Sequence, residues 1–170
     1  MKFPSRSQAD GEADFSAFYK HFFPIAVCSL MSMYATNRDT AEEVVQQAMT
    51  SMYGTLGGRF TGMSDGKRRA YLMTAARNKF ADHWRIHSRE VPPGDTEDLL
   101  CSSAHEEFEA VHIRDAFERL PDDVREIAVL RYLTCLSNRE IAGVLGINVN
   151  TVGSRLGKAR TLLIDHLSPK

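Results

Sequence analysis

Apolar residues recur along this 170-residue chain at helical spacing and nowhere with the alternation that a strand requires. Ala41, Val44, Val45, Ala48, Met49, Met52 and Leu56 fall at i, i+3, i+4 and i+7, which places them on one face of a helix. Asp39, with Glu42 three residues on, carries the N-cap and capping-box pattern for its start. An earlier helical stretch covers about Asp14 to Ala35. A break or restart is predicted at Pro24, because proline removes a donor and crowds the preceding turn. A third helix is predicted from about Lys67 to His87, with Met73, Ala76, Phe80 and Trp84 turned to the core. Four glycines between Gly57 and Gly66 make the preceding connection a loop, from which Arg59, Phe60 and Met63 project.

The C-terminal part reads as four short helices. One ends at Leu120, and a second opens at Pro121 and runs to about Tyr132. Ser137-Asn-Arg-Glu140 is a capping box for a third helix, Asn138 to Leu145, which Gly146 stops. Asn148 then caps a fourth helix, from Val149 to about His166. The third and fourth have the pattern of a helix-turn-helix. Ile141, Ala142 and Leu145 bury one face of the first helix, Ile147 fills the turn, and Val152 and Leu156 bury the inner face of the second. The second helix's outer face offers Asn150, Thr151, Ser154, Lys158 and Arg160, small polar and cationic groups suited to base edges and phosphates. Arg155 is read first as a tie to Glu140 across the motif, with base reading as the alternative. Gly153 and Gly157 interrupt this helix at about 1 kcal/mol each relative to alanine.

Charge is segmented along the chain. Residues 59–89 carry 8 basic side chains against 2 acidic, and residues 90–123 carry 2 basic against 11 acidic. Residues 124–170 return to 7 basic against 3 acidic, so two cationic blocks flank an anionic one behind a formal net charge of only −1. Such blocks suit polyanion-facing surfaces as well as merely solvated faces. Val91-Pro-Pro-Gly-Asp-Thr-Glu-Asp98 combines turn formers and like charges, the composition of a flexible acidic linker. The chain is thus expected to be all-α: two small helical domains, residues 1–89 and 107–170, joined by a linker at 90–106. The apolar run from Phe22 to Tyr34 is too short to span a bilayer and follows acidic residues, so no membrane insertion and an intracellular, cytoplasmic location are expected. Three scattered cysteines, Cys28, Cys101 and Cys135, form no disulfide framework.

Ala116-Phe-Glu-Arg-Leu-Pro-Asp-Asp-Val-Arg-Glu-Ile-Ala-Val-Leu-Arg-Tyr132, the helix-turn-helix, and Ser154-Arg-Leu-Gly-Lys-Ala-Arg160 together resemble the C-terminal promoter-reading domain of extracytoplasmic-function (ECF) sigma factors. Two N-terminal stretches resemble the same family independently. Asp39-Thr-Ala-Glu-Glu-Val-Val-Gln46 is similar to its polymerase-binding helix, and Ala76-Arg-Asn-Lys-Phe-Ala-Asp-His-Trp-Arg85 to its promoter-melting helix. The resemblance covers about Phe15 to Leu167, and it implies a transcription initiation factor that is not an enzyme and needs no cofactor. It implies that Asp39, Glu42, Glu43, Gln46 and Gln47 dock on core RNA polymerase. Asn148, Asn150, Thr151, Ser154, Arg155, Lys158 and Arg160 would meet duplex DNA at the −35 element. Arg59, Phe60, Met63, Lys67, Arg68, Tyr71, Asn78, Asp82 and Arg85 would take the single-stranded −10 element. Capture of unstacked bases needs cations interleaved with flat or apolar platforms, although plain packing remains open for Phe60 and Met63. An anti-sigma factor is a further implied partner.

Other classes are weaker. No P-loop, GxGxxG turn or nucleophile elbow is present. His83 and His87, with Asp82 nearby, lack a third metal ligand at sensible spacing, and Cys101, His105 and His112 lie in or beside the acidic stretch. A helix-turn-helix regulator that never engages polymerase would leave the Asp39 helix and the cationic helix without a role, and a sigma-like module serving only to bind an inhibitor is a third reading.

Overall fold

The computed structural model describes residues 6–87 and 115–167, all of whose regular structure is helical. The acidic linker, with Cys101, His105 and His112, lies outside the described residues, as do the expected domain boundaries.

Helix α1 (Arg6–Tyr34) runs through Pro24 without the expected break. A proline inside a helix costs about 3 kcal/mol. Against that, Phe22, Ala26, Val27, Leu30, Met31 and Met33 are buried on both sides of it. Each large apolar side chain contributes about 1.5–3 kcal/mol when fully buried, so packing outweighs the local penalty.

Helix α2 (Arg38–Leu56) buries Ala41, Val44, Val45, Ala48, Met49 and Met52, the face given by the apolar period. Its cap differs from expectation. Asn37, not Asp39, is the N-cap, and its Oδ1 accepts from the Thr40 N–H at 2.8 Å. Asp39 instead lies in the first turn, where a carboxylate favours the helix dipole without acting as the cap. A 3₁₀ turn at Gly57–Arg59 leads to α3 (Asp65–His87), which buries Leu72, Met73, Ala76 and Phe80. Trp84, expected in the core, is 61% exposed. The reason lies in helix length: Phe80 stacks on Tyr34 at 4.4 Å between ring centroids, and Tyr34 is the last residue of α1. One turn further along α3, no α1 residue is left to cover the indole.

A helical segment at residues 115–118 precedes α4 (Asp122–Tyr132), for which Pro121 serves as N-cap rather than first helical residue. Helix α5 (Asn138–Leu145) carries the expected capping box between Ser137 and Glu140, and Gly146 ends it in the left-handed conformation at φ 67°. Helix α6 (Val149–Leu167) buries Val152 and Ala159. The N-terminal unit α1–α3 and the C-terminal unit α4–α6 pack together, α1 against α4 and α3 against α5.

Gly153 and Gly157 lie on the exposed side of α6, and a Cβ added at either would meet no atom within 4 Å. The double substitution Gly153→Ala/Gly157→Ala therefore stabilises the fold by about 1–2 kcal/mol. For a chain of this size that is a rise of about 2–8 °C in the thermal midpoint, checked by circular dichroism melting.

Candidate nucleic-acid interface

The helix-turn-helix is capped at the start of its first helix and again at its turn. Ser137 Oγ receives the Glu140 N–H at 3.3 Å, while the Glu140 carboxylate receives the Ser137 N–H at 2.8 Å. Partial burial would raise the Glu140 pKa, but the Ser137 hydrogen bonds and nearby Arg69 outweigh it and hold the carboxyl below its ordinary value. Gly146 donates to the Ala142 carbonyl, and Asn148 Oδ1 accepts the Asn150 N–H at 2.8 Å, so α6 begins at a fixed angle to α5.

With Val152 and Ala159 turned inward, the opposite side of α6 faces solvent. Asn148, Asn150, Ser154, Lys158 and Arg160 are exposed and Thr151 is half-buried. Arg155 does not tie to Glu140. Its Nε lies 3.2 Å from Asp123 Oδ2, so it ties α6 to the start of α4, while the Glu140 carboxylate is already engaged by Ser137. Asp123 is about half exposed, so this pair contributes at most about 1 kcal/mol.

The structure divides the residues expected at the single-strand site. Arg59, Lys67, Asn78, Asp82 and Arg85 are exposed, and Met63 and Tyr71 are half-buried. Phe60 is buried, with its ring centroid 5.1 Å from that of Phe15 and 5.4 Å from that of Phe18. Arg68 is buried as well. Its guanidinium sits 4.3 Å from the Phe60 ring centroid, bonds Asp14 Oδ2 at 2.7 Å, and donates to the Phe60 and Thr61 carbonyls at 3.1 Å each. These two residues therefore shape the glycine-rich loop from within instead of offering it a platform and a cation. The physical reason is Asp14 on α1, which gives Arg68 a carboxylate inside the unit. Met63, Lys67 and Tyr71 line one wall of a groove, and Glu140, Gly143 and Val144 of the C-terminal unit line the other.

On α2, Asp39, Glu43, Gln46 and Gln47 are exposed and Glu42 is half-buried, opposite the helix's buried stripe. Glu42 pairs with Arg38 at 3.2 Å, and Gln47 donates to Glu43 at 3.0 Å. One network was not anticipated. Arg77, which was given no role of its own above, bonds Glu126 of α4 at 2.7 Å. No helical period links two residues so far apart in sequence. No helix among the described residues is long and apolar enough to cross a membrane.

A helix-turn-helix with its second helix turned outward, packed against a second helical unit that bears an acidic face and a cationic helix, is the layout of a DNA-binding transcription protein. Residues 111–163 match the family described as Sigma-70, region 4. The chain is 30% identical over 133 residues to the ECF RNA polymerase sigma factor EcfG of Rhodopseudomonas palustris, covering 75% of this chain and 71% of that protein. It is likewise 30% identical over 142 residues to a probable RNA polymerase sigma-C factor of Mycobacterium bovis, covering 80% and 75%. Among solved structures, the sigma factor RpoE of Bartonella quintana, in complex with the anti-sigma factor NepR, superimposes with a TM-score of 0.66. That match has 22% identity and covers 91% of this chain and 96% of the other. The chain belongs to the ECF RNA polymerase sigma factors, the proteins that direct RNA polymerase to start transcription at chosen promoters.

Proposed function

We propose that the two helical units divide the promoter between them, residues 1–89 serving the polymerase and the −10 element and residues 107–170 the −35 element. The observation that carries this reading is the polar face of α6, in solvent while Val152 and Ala159 anchor the opposite side. Asn148, Asn150, Thr151 and Ser154, near the N-terminus of α6, approach base edges, and Lys158 and Arg160 meet phosphates. Arg155 positions α6 through Asp123 rather than reading bases. On α3, Lys67, Tyr71, Asn78, Asp82 and Arg85, with Arg59 and Met63 of the preceding loop, take up the melted strand, held in shape by Phe60 and Arg68. Asp39, Glu42, Glu43, Gln46 and Gln47 dock on core polymerase. The chain acts in the cytoplasm, is not an enzyme and requires no cofactor. The sigma factor of similar fold solved with NepR supports an anti-sigma factor as a regulatory partner here too.

Run-off transcription tests the whole reading. Core polymerase with a promoter-fragment pool yields new start sites only when the protein is added; duplex binding without new transcripts would favour a regulator acting apart from polymerase. Lys158→Ala tests the duplex face. Its loss weakens promoter affinity several-fold and reduces the salt slope by about 0.9, the share of one phosphate contact. Titration by fluorescence anisotropy at several salt concentrations reads both, and an unchanged slope removes Lys158 from the interface.

A further inference from the structure

We propose that Val149, the first residue of α6, reads thymine in the −35 element through the base's C5-methyl group, and that Gly153 and Gly157 clear the flank of the helix on which this contact is made. The contact rests on the duplex-facing role proposed for α6 and gives that face a base to recognise.

Val149 is an apolar side chain left out of the core. It is 40% exposed, whereas Val152 in the same turn is fully buried. A β-branched side chain keeps mostly one χ1 rotamer in a helix, so Val149 is a stiff apolar knob that loses little entropy on contact. Val149, Gly153 and Gly157 follow at i, i+4 and i+8 and share one flank of α6. Both glycines are exposed, and a Cβ on either would meet no atom within 4 Å. Arg160, about three turns beyond Val149, returns an exposed side chain to the same flank.

An α-helix with its side chains is about 10–12 Å across, and the major groove of B-DNA is about 12 Å wide, so an ordinary helix fills the groove. Where two successive turns carry no side chain on one flank, the backbone there comes closer to the base edges, and the knob at the head of that flank reaches them. Arg160, at the far end, is left to meet a phosphate of the groove wall.

The distribution of charge along α6 favours the same base. Guanine is read most often by Arg or Lys, bidentate at O6 and N7. Residues 148–154 contain neither, and Arg155, which follows them, is engaged by Asp123 of α4 at 3.2 Å. Asn148 Oδ1 accepts the Asn150 N–H at 2.8 Å and so serves the start of the helix. The opening turns of α6 therefore offer base edges an apolar group at Val149, which matches a thymine methyl, beside the exposed amide of Asn150, which matches adenine N6 and N7. Cytosine carries no such methyl group, and neither does uracil, so a contact of this kind separates thymine from both by a single carbon.

The test uses the full chain with core polymerase on fluorescently labelled promoter duplexes recovered by run-off transcription. Each thymine of the −35 element is replaced singly by uracil, which removes one methyl group and leaves base pairing intact. At one thymine, or at two adjacent ones, affinity falls about fourfold, the effect of withdrawing one methyl group from an apolar contact. Val149→Ala binds the thymine duplex several-fold more weakly and no longer distinguishes thymine from uracil at that position. Gly153→Leu, which fills the open flank, weakens binding by about tenfold, on the order of one lost base contact. Its thermal midpoint does not fall, because leucine is a better helix former than glycine. A −35 element without thymine, uracil duplexes bound as tightly as thymine ones, or equal uracil sensitivity in the wild type and Val149→Ala overturns the methyl contact. Gly153→Leu binding at wild-type strength overturns the open flank. Wild-type affinity in Val149→Ala, Gly153→Leu and Lys158→Ala alike takes α6 off the duplex, and the role on which the methyl contact rests falls with it.

Discussion

Arg68→Ala destabilises the N-terminal unit by about 3 kcal/mol. The side chain is only 10% exposed, so what it bonds is poorly served by water once it is gone. Truncation strips Asp14 of its 2.7 Å partner and the Phe60 and Thr61 carbonyls of their donors, and it removes a cation from the Phe60 ring. Removing one member of a buried pair costs about 3–5 kcal/mol. Asp14 is about a third exposed and recovers some hydration, which favours the lower end of that range. The expected result is a fall of about 6–12 °C in the thermal midpoint, or an equivalent fall in urea midpoint at unchanged slope. Arg68→Lys recovers little, because one ammonium cannot serve a carboxylate and two carbonyls from the positions that a planar fork reaches. Arg59→Ala is the control: this exposed neighbour in the same cationic block changes stability by less than about 0.5 kcal/mol. Equal, small effects at both positions would show Arg68 turned to solvent and available to DNA.

That pair of arginines shows where the amino-acid sequence is and is not informative. Both stand in one cationic block, and charge alone assigns both to a polyanion. What separates them is Asp14, more than fifty positions earlier, which the fold brings beneath Arg68. Residues whose fate depends on one local face were legible. The buried side of α2 follows from its apolar spacing, and the capping box at Ser137 with the glycine at 146 locates the helix-turn-helix, because each signal is complete within a few residues. Family membership was legible for the same reason, since matching motifs occur in order along two separate stretches. Trp84 fails differently. Its helical phase is right for the core, but phase says nothing about where the opposing helix ends. Asn37 and Asp39 are both good caps two residues apart, and the choice between them is made by where the chain turns out of α1. Arg77, Tyr34 and Glu126 come from three helices, and nothing in any one segment marks them as partners.

Charge reversal on the outer face of α2 should abolish function while sparing the fold. Asp39 is exposed in the first turn, and Gln46, also exposed, lies two turns along the same helix. The apolar stripe from Ala41 to Met52 is fully committed to the core, so these side chains do not hold the unit together. Asp39→Arg removes a carboxylate from the positive end of α2, which costs about 0.3–1 kcal/mol of stability. That is a small fraction of what a folded domain holds, and melting should show it as a modest shift. On the docking face proposed for α2, the cost at the polymerase is larger. Reversing a charge at the core of a protein interface leaves the partner's charge unpaired and desolvated, a loss of about 2–5 kcal/mol. Affinity for core polymerase is therefore expected to fall at least 30-fold, with run-off transcripts lost at protein concentrations that saturate the wild type. Gln46→Ala separates position from charge. It lowers polymerase affinity by a few-fold without touching the helix dipole, and duplex binding through α6 stays at the wild-type level in both variants. Normal polymerase affinity in Asp39→Arg would move the docking surface off this face of α2 and leave its row of acidic and amide side chains as solvated surface.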